Sequence, residues 1–130
     1  MRREPHWIDK RALLLLHEES LALFGGAGGL RDPGLLDSAL ERARNRYLHE
    51  TSADLAELAA AYGFGVAMNH AFVDGNKRLA FMAIGLFLAI NGHRLRTPPM
   101  DAIQTMQGLA AGEISEPALA AWIRAHAVRR

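Results

Sequence analysis

The sequence predicts an all-α fold of about six helices, and three observations carry that prediction. Helix-opening residues divide the chain into six segments: Asp9, Asp32-Pro33, Thr51-Ser52, Asn76, Pro98-Pro99 and Ser115-Glu116-Pro117. The segment from Ala53 onward is rich in Ala and Leu, both strong helix formers. Only one stretch, His93-Arg94-Leu95-Arg96-Thr97, alternates as a strand does, and it is short.

Each element follows from local chemistry. Asp9 caps a first helix running to about Phe24, with Leu13, Leu14, Leu16, Leu21 and Phe24 on or near one face. The glycine cluster Gly25-Gly26-Ala27-Gly28-Gly29 stops it and reads as a flexible linker; it lacks the Lys and Ser/Thr that complete a phosphate loop. Asp32 followed by Pro33 places an N-cap before a proline at the first helical position, opening a helix through about Arg44. Thr51-Ser52 begins a third helix, from Ala53 to about His70. A fourth runs from about Asn76 to Ile90, closed by Asn91-Gly92, and its run from Leu79 to Ile90 is read as the buried central helix. Helices to about Ala111 and about Ala127 complete the chain, and the Arg/Glu mixture at 41–46 is read as a solvated helix face.

Composition bounds the function. A chain of 130 residues is read as one domain, 1–130, with a single core. Fifteen basic residues against fourteen acidic ones argue against broad nucleic-acid binding. The absence of cysteine excludes disulfides, thiolate nucleophiles and Cys-based zinc sites, and suits a reducing cytoplasm. The charged start Met1-Arg2-Arg3-Glu4-Pro5-His6 does not read as a secretory leader, and no apolar run is long enough to span a membrane.

One segment breaks local consistency: His70-Ala71-Phe72-Val73-Asp74-Gly75-Asn76-Lys77-Arg78. A helix N-terminus favours anions, yet Lys77 and Arg78 occupy this one. A phosphate bound on the helix end reverses the sign of that effect. Arg78 offers a planar fork for phosphate oxygens, the Asn76 side-chain amide positions a phosphate, and Gly75 permits close backbone approach. Asp74 is a hard oxygen ligand suited to Mg2+. His70 is a candidate general base for an attacking hydroxyl, the role histidine fills most often. Phe72 pins the loop to the core. Taken singly, each has a structural explanation: a helix-end cap for His70, a turn for Asp-Gly-Asn, solvated charges for Lys77 and Arg78. The combination and order carry the signal. His17-Glu18-Glu19 fails as a zinc-protease motif because position 21 is Leu, and His17 is expected to pack or hydrogen-bond near the loop.

The nine-residue loop resembles the Fic-fold motif HxFx(D/E)GNxR, and Lys77, where classical members carry glycine, is the pattern of the Doc (death-on-curing) branch. The segment Gly29-Leu30-Arg31-Asp32-Pro33-Gly34-Leu35-Leu36-Asp37-Ser38-Ala39-Leu40, His17, and the run from Ala59 to Gly65 are similar to the family as well. The resemblance implies a compact helical Fic domain that transfers part of a nucleotide to a protein hydroxyl. Classical members transfer AMP. Doc-branch members transfer the γ-phosphate of ATP to a threonine of elongation factor Tu, block translation, and are encoded with a Phd-type antitoxin. Carried over, His70 is the base, Asp74 holds the metal, and Gly75, Asn76, Lys77 and Arg78 hold phosphates, while Leu30, Arg31 and Asp32 form a candidate target flap. Phe81 stands where many AMP-transferring members have a second arginine, and the chain lacks their inhibitory (S/T)xxxE(G/N) motif. The resemblance thus implies ATP and Mg2+ as substrate and cofactor, control by a separate antitoxin, and DNA contact only through that antitoxin. The alternatives are an AMP transferase on the same scaffold and a non-catalytic antitoxin-binding co-repressor; a bare nucleotide hydrolase is weaker, since nothing positions a water.

Overall fold

The computed structural model describes residues 3–130; Met1 and Arg2, which contribute to the charged start, lie outside the described residues. The elements in order are α1 (Lys10–Phe24), α2 (Pro33–His49), α3 (Leu55–Asn69), α4 (Asn76–Ile90), β1 (His93–Leu95), α5 (Pro99–Ala110), α6 (Glu116–His126) and β2 (Ala127–Arg129). The all-α expectation holds, with one short antiparallel pair added. No described helix is long and apolar enough to cross a membrane.

Caps set most of the boundaries. The Asp9 carboxylate accepts from Arg11 N–H to open α1, and Gly25, at φ 82°, closes it. Asp32 accepts from Leu35 N–H, with Pro33 behind it, to open α2. That helix runs five residues past the predicted end at Arg44, because nothing between Arg44 and His49 breaks it and its extra turn is anchored: Arg46 pairs with Glu50, Glu57 and Glu116. The true start of α3 is Asp54 rather than Thr51-Ser52. Asp54 and Glu57 form a reciprocal capping box, Glu57 N–H to Asp54 at 2.8 Å and Asp54 N–H to Glu57 at 3.4 Å, which satisfies two donors at once.

The centre of the fold is α3, not α4 as the apolar run suggested. α3 packs against α2, α4, α5 and α6 and is buried almost all round, whereas α4 buries one face against α1, α3, α5 and β1. Small residues make this possible. A Cβ on Gly63 would lie 2.6 Å from Ile84 Cδ1, and one on Gly65 would lie 3.2 Å from the Ala39 Cα. These two glycines let α4 and α2 approach α3 from different sides. The solvated-face reading of 41–46 holds for Glu41, Arg44 and Asn45, which are exposed, but two of its arginines do more. Arg42 and Arg46 both pair with Glu116, which is only 9% exposed, and so clamp α6 to α2. β1 takes β2 as its partner, with His93 opposite Arg129 and Leu95 opposite Ala127.

Candidate functional site

The loop between α3 and α4 is held from three directions. Its first residue, His70, caps α3 in the left-handed conformation (φ 49°, ψ 49°) and is the sole non-glycine residue with positive φ among those described. That conformation costs an L-residue about 1–2 kcal/mol, so surrounding contacts must impose it. Ala71 and Phe72 then turn inward, Phe72 being 3% exposed, which places it as the expected pin. The chain leaves through Asp74 and through Gly75 at φ 79°, where a side chain would be strained.

The first support is the segment Gly29 to Asp32, the candidate flap. Leu30 and Phe72 form an antiparallel bridge: Arg31 and Asp32 N–H donate to Ala71 O at 2.7 and 3.0 Å, and Val73 N–H donates to Gly29 O at 3.1 Å. The Asp32 carboxylate is occupied in capping α2, while the Arg31 guanidinium folds back onto the His70 and Asn69 carbonyls.

The second support is α1. Its buried stripe is Leu13, His17 and Ser20, so two of the three residues it buries are polar, and Phe24 at its end, expected on the apolar face, is 65% exposed. His17 stacks on Phe72 with ring centroids 3.8 Å apart, and its Nε2 lies 2.8 Å from Asp74 O. A carbonyl only accepts, so Nε2 carries the proton in this contact. His17 therefore sits where the sequence reading placed it.

The third support is Asn76. Its Oδ1 accepts from Phe72 N–H at 3.1 Å, its Nδ2 donates to Phe72 O at 2.8 Å, and the residue is 8% exposed. Both groups of the amide expected to meet a phosphate are bonded inward here, because closing a six-residue turn over a buried Phe72 leaves that residue's backbone in need of partners. Asn76 instead offers its backbone N–H in the uncapped first turn of α4.

At that turn no side chain caps the helix and no acidic residue lies in it. Arg78 touches the Ser20 hydroxyl at 3.3 Å and the Phe24 ring at 4.7 Å, and neither neutralises it. Among the described residues, neither Lys77 nor Arg78 has a carboxylate partner, and the His70 imidazole has no hydrogen-bond partner. A cleft of about 490 Å³ opens beside the two cations, walled by Phe81, Leu95, Ile103 and Met106 among others, a size that suits a small-molecule ligand.

Asp74 Oδ1 accepts from Gly75 N–H at 2.8 Å and Oδ2 from Ala27 N–H at 3.3 Å, and the residue is exposed. A Cβ on Gly26 would lie 2.8 Å from Asp74 Oδ2. Within the exposed glycine cluster, Gly26 and Ala27 thus rest against the Asp74 carboxylate. Among the described residues no three His, Asp, Glu or Cys groups converge to hold a metal by themselves. A single exposed carboxylate suits Mg2+ that arrives on phosphates, since that ion takes one or two carboxylates and completes its shell with substrate oxygens and water.

Residues 7–88, which contain this loop, all of α3 and α4 up to Leu88, match the family model described as Fic/DOC family. The chain belongs to the Fic/Doc family. It is 36% identical over 117 residues to "Protein kinase doc" of Escherichia phage P1, covering 90% of this chain and 92% of that protein. It is 47% identical over 73 residues to "Toxin Doc" of Mycolicibacterium smegmatis, covering 55% of this chain and 56% of that one. This Fic/Doc chain continues beyond the matched region into β1 and α5, which supply the outer wall of the cleft. Sequence reasoning missed Ser20 and Gly26 as neighbours of the loop. The signal for Ser20 was present: His17, Ser20 and Phe24 fall at i, i+3 and i+7 on one face of α1.

Proposed function

We propose that this protein is a toxin of a toxin-antitoxin pair that transfers the γ-phosphate of ATP to a hydroxyl, a threonine of elongation factor Tu, and so blocks translation. The observation that carries the reading is the pair of cations, Lys77 and Arg78, without carboxylate partners in the uncapped first turn of α4. Such a turn is an anion site by backbone dipole and side-chain charge together. In this reading the free N–H groups of the turn and Arg78 hold phosphate oxygens, Gly75 lets them approach the backbone closely, and Lys77 adds charge where a glycine would leave space. Asp74 holds Mg2+, which supplies neutralisation of the phosphate charge. His70 takes the proton of the acceptor hydroxyl as its oxygen bonds to the γ-phosphorus; the bond from that phosphorus to the β,γ-bridging oxygen breaks, and ADP leaves. Phe81 on the cleft wall, where a second arginine would serve AMP transfer, favours γ-transfer.

The apolar cleft, lined by Phe81, Ile103 and Met106 together with the cations Lys77 and Arg78, suits an amphipathic antitoxin segment of the Phd type carrying acidic groups. A net charge of +1 leaves DNA contact to that antitoxin. The chain is proposed to act as one cytoplasmic domain.

The test is a transfer assay with purified elongation factor Tu, Mg2+, and ATP labelled at the α- or the γ-phosphate, comparing wild type with His70→Ala. Label moving only from the γ-position, and only with His70 present, supports the reading. Label from the α-position makes the chain an AMP transferase. Absence of transfer from both positions, in a cell lysate as well as with purified factor, points to a binding module.

A further inference from the structure

Arg31 makes an unusual set of contacts for a residue on an exposed flap. Its Nε donates to His70 O at 2.9 Å, one of its terminal nitrogens donates to the same carbonyl, and that nitrogen also lies 3.5 Å from Asn69 O. Its backbone N–H is bonded in turn to Ala71 O at 2.7 Å. Arg31 therefore grips the chain on both sides of His70 O. Among the described residues it has no carboxylate partner, so these carbonyls are its electrostatic counterpart at the negative end of α3.

The position it grips is abnormal. Helices that end in the left-handed conformation usually have glycine there, and here the residue is His70. The direction of the His70 Cα–Cβ bond, and hence the reach of the imidazole, follows from the φ and ψ of that residue. ψ is fixed by where the His70 carbonyl points. Two converging donors on one carbonyl set that direction in a way a single point charge does not.

We propose that Arg31 is a positioning residue: it holds His70 in the left-handed conformation and thereby aims the imidazole. The flap segment that carries Arg31 and the residue it aims thus move as one unit. The functional consequence rests on the proposed role of His70 as base; the geometric claim does not.

Two arms separate these. In the free protein, the imidazole Cε1–H cross-peaks of the six histidines are recorded by NMR, with His70 assigned by its loss in His70→Ala. In Arg31→Ala the His70 peak is expected to shift and narrow as the ring gains freedom, with His93 and His126 unmoved; Arg31→Lys, which keeps the charge and loses the fork, is expected to restore it only in part. If Arg31→Ala fails to fold, Arg31→Gln reads the same effect. An unmoved His70 peak in a folded variant overturns the inference, and so does full restoration by Arg31→Lys, which would make the contact one of charge alone. In the transfer assay, kcat of Arg31→Ala is expected to fall by ~10- to 100-fold with KM for ATP within about twofold, since misplacing a reacting group costs about that much. Wild-type kcat in Arg31→Ala, while His70→Ala is inactive, overturns the positioning role. Full activity in His70→Ala overturns the base reading instead.

Discussion

Replacing Asn76 by Ala tests whether this residue is a clasp or a phosphate ligand. Its amide is the intramolecular partner of both Phe72 N–H and Phe72 O, and Phe72 is 3% exposed. Deleting it leaves two buried backbone groups unpaired, each costing about 1–3 kcal/mol; partial relaxation of the turn toward water puts the sum at ~2–4 kcal/mol. For 130 residues an unfolding entropy near 2.1 cal/mol/K per residue converts this to a fall in Tm of ~7–15 °C. Asn76→Asp sharpens the test because the two explanations predict opposite signs. An acidic residue at the start of α4 favours the helix by about 0.3–1 kcal/mol. A carboxylate facing Phe72 O is repelled and loses the donor, so the clasp predicts destabilisation at least as large as that of Ala. Urea unfolding monitored by the far-UV signal gives the free energies, and calorimetry gives nucleotide affinity. A stability change within about 0.5 kcal/mol for Asn76→Ala, with Asn76→Asp stabilised and nucleotide affinity lost, would refute the clasp and return Asn76 to the phosphate.

Three further outcomes follow from the packing and charge. Gly63→Ala is expected to cost about 1–3 kcal/mol by driving a methyl against Ile84 Cδ1, and Ile84→Val, which removes that carbon, should make the double variant less destabilised than the sum, as read by urea midpoints. Glu116→Gln is expected to lose about 1–3 kcal/mol, because Arg42 and Arg46 then share a half-buried contact with a neutral group; thermal melts check this, and an unchanged Tm would show the clamp between α2 and α6 to be idle. Burial opposes ionisation of Asp54, but the hydrogen bonds from Arg124 and from Glu57 N–H outweigh it and hold the carboxyl below its ordinary value. A depressed native pKa gives stability that is present above the unfolded value near 4 and lost as pH falls through the native one, so wild type should lose more stability below about pH 4 than Asp54→Asn, which lacks the titrating group.

Local chemistry made much of this protein readable in one dimension. The starts of α1, α2, α4 and α6 follow from Asp9, Asp32-Pro33, Gly75-Asn76 and Ser115, because a cap acts within a few residues of itself. The order His70, Phe72, Asp74, Gly75, Asn76, Lys77, Arg78 marked the site because cations at a helix start are locally unfavourable, and that inconsistency needs no partner to be seen. Tertiary structure decided what depends on distant neighbours. Whether α3 or α4 occupies the centre turned on Gly63 and Gly65 meeting Ile84 and Ala39, contacts that hydropathy does not encode. The partner of β1 lies at the far end of the chain, 127–129. Arg42 and Arg46 became a clamp only when Glu116 arrived beneath them, and the Asn76 amide bonds Phe72 because the buried turn needs partners. The sequence alone determined which residue types gather at the loop. The fold determined which of them are taken up by buried partners, because a polar side chain goes first to the buried group that would otherwise lack a partner.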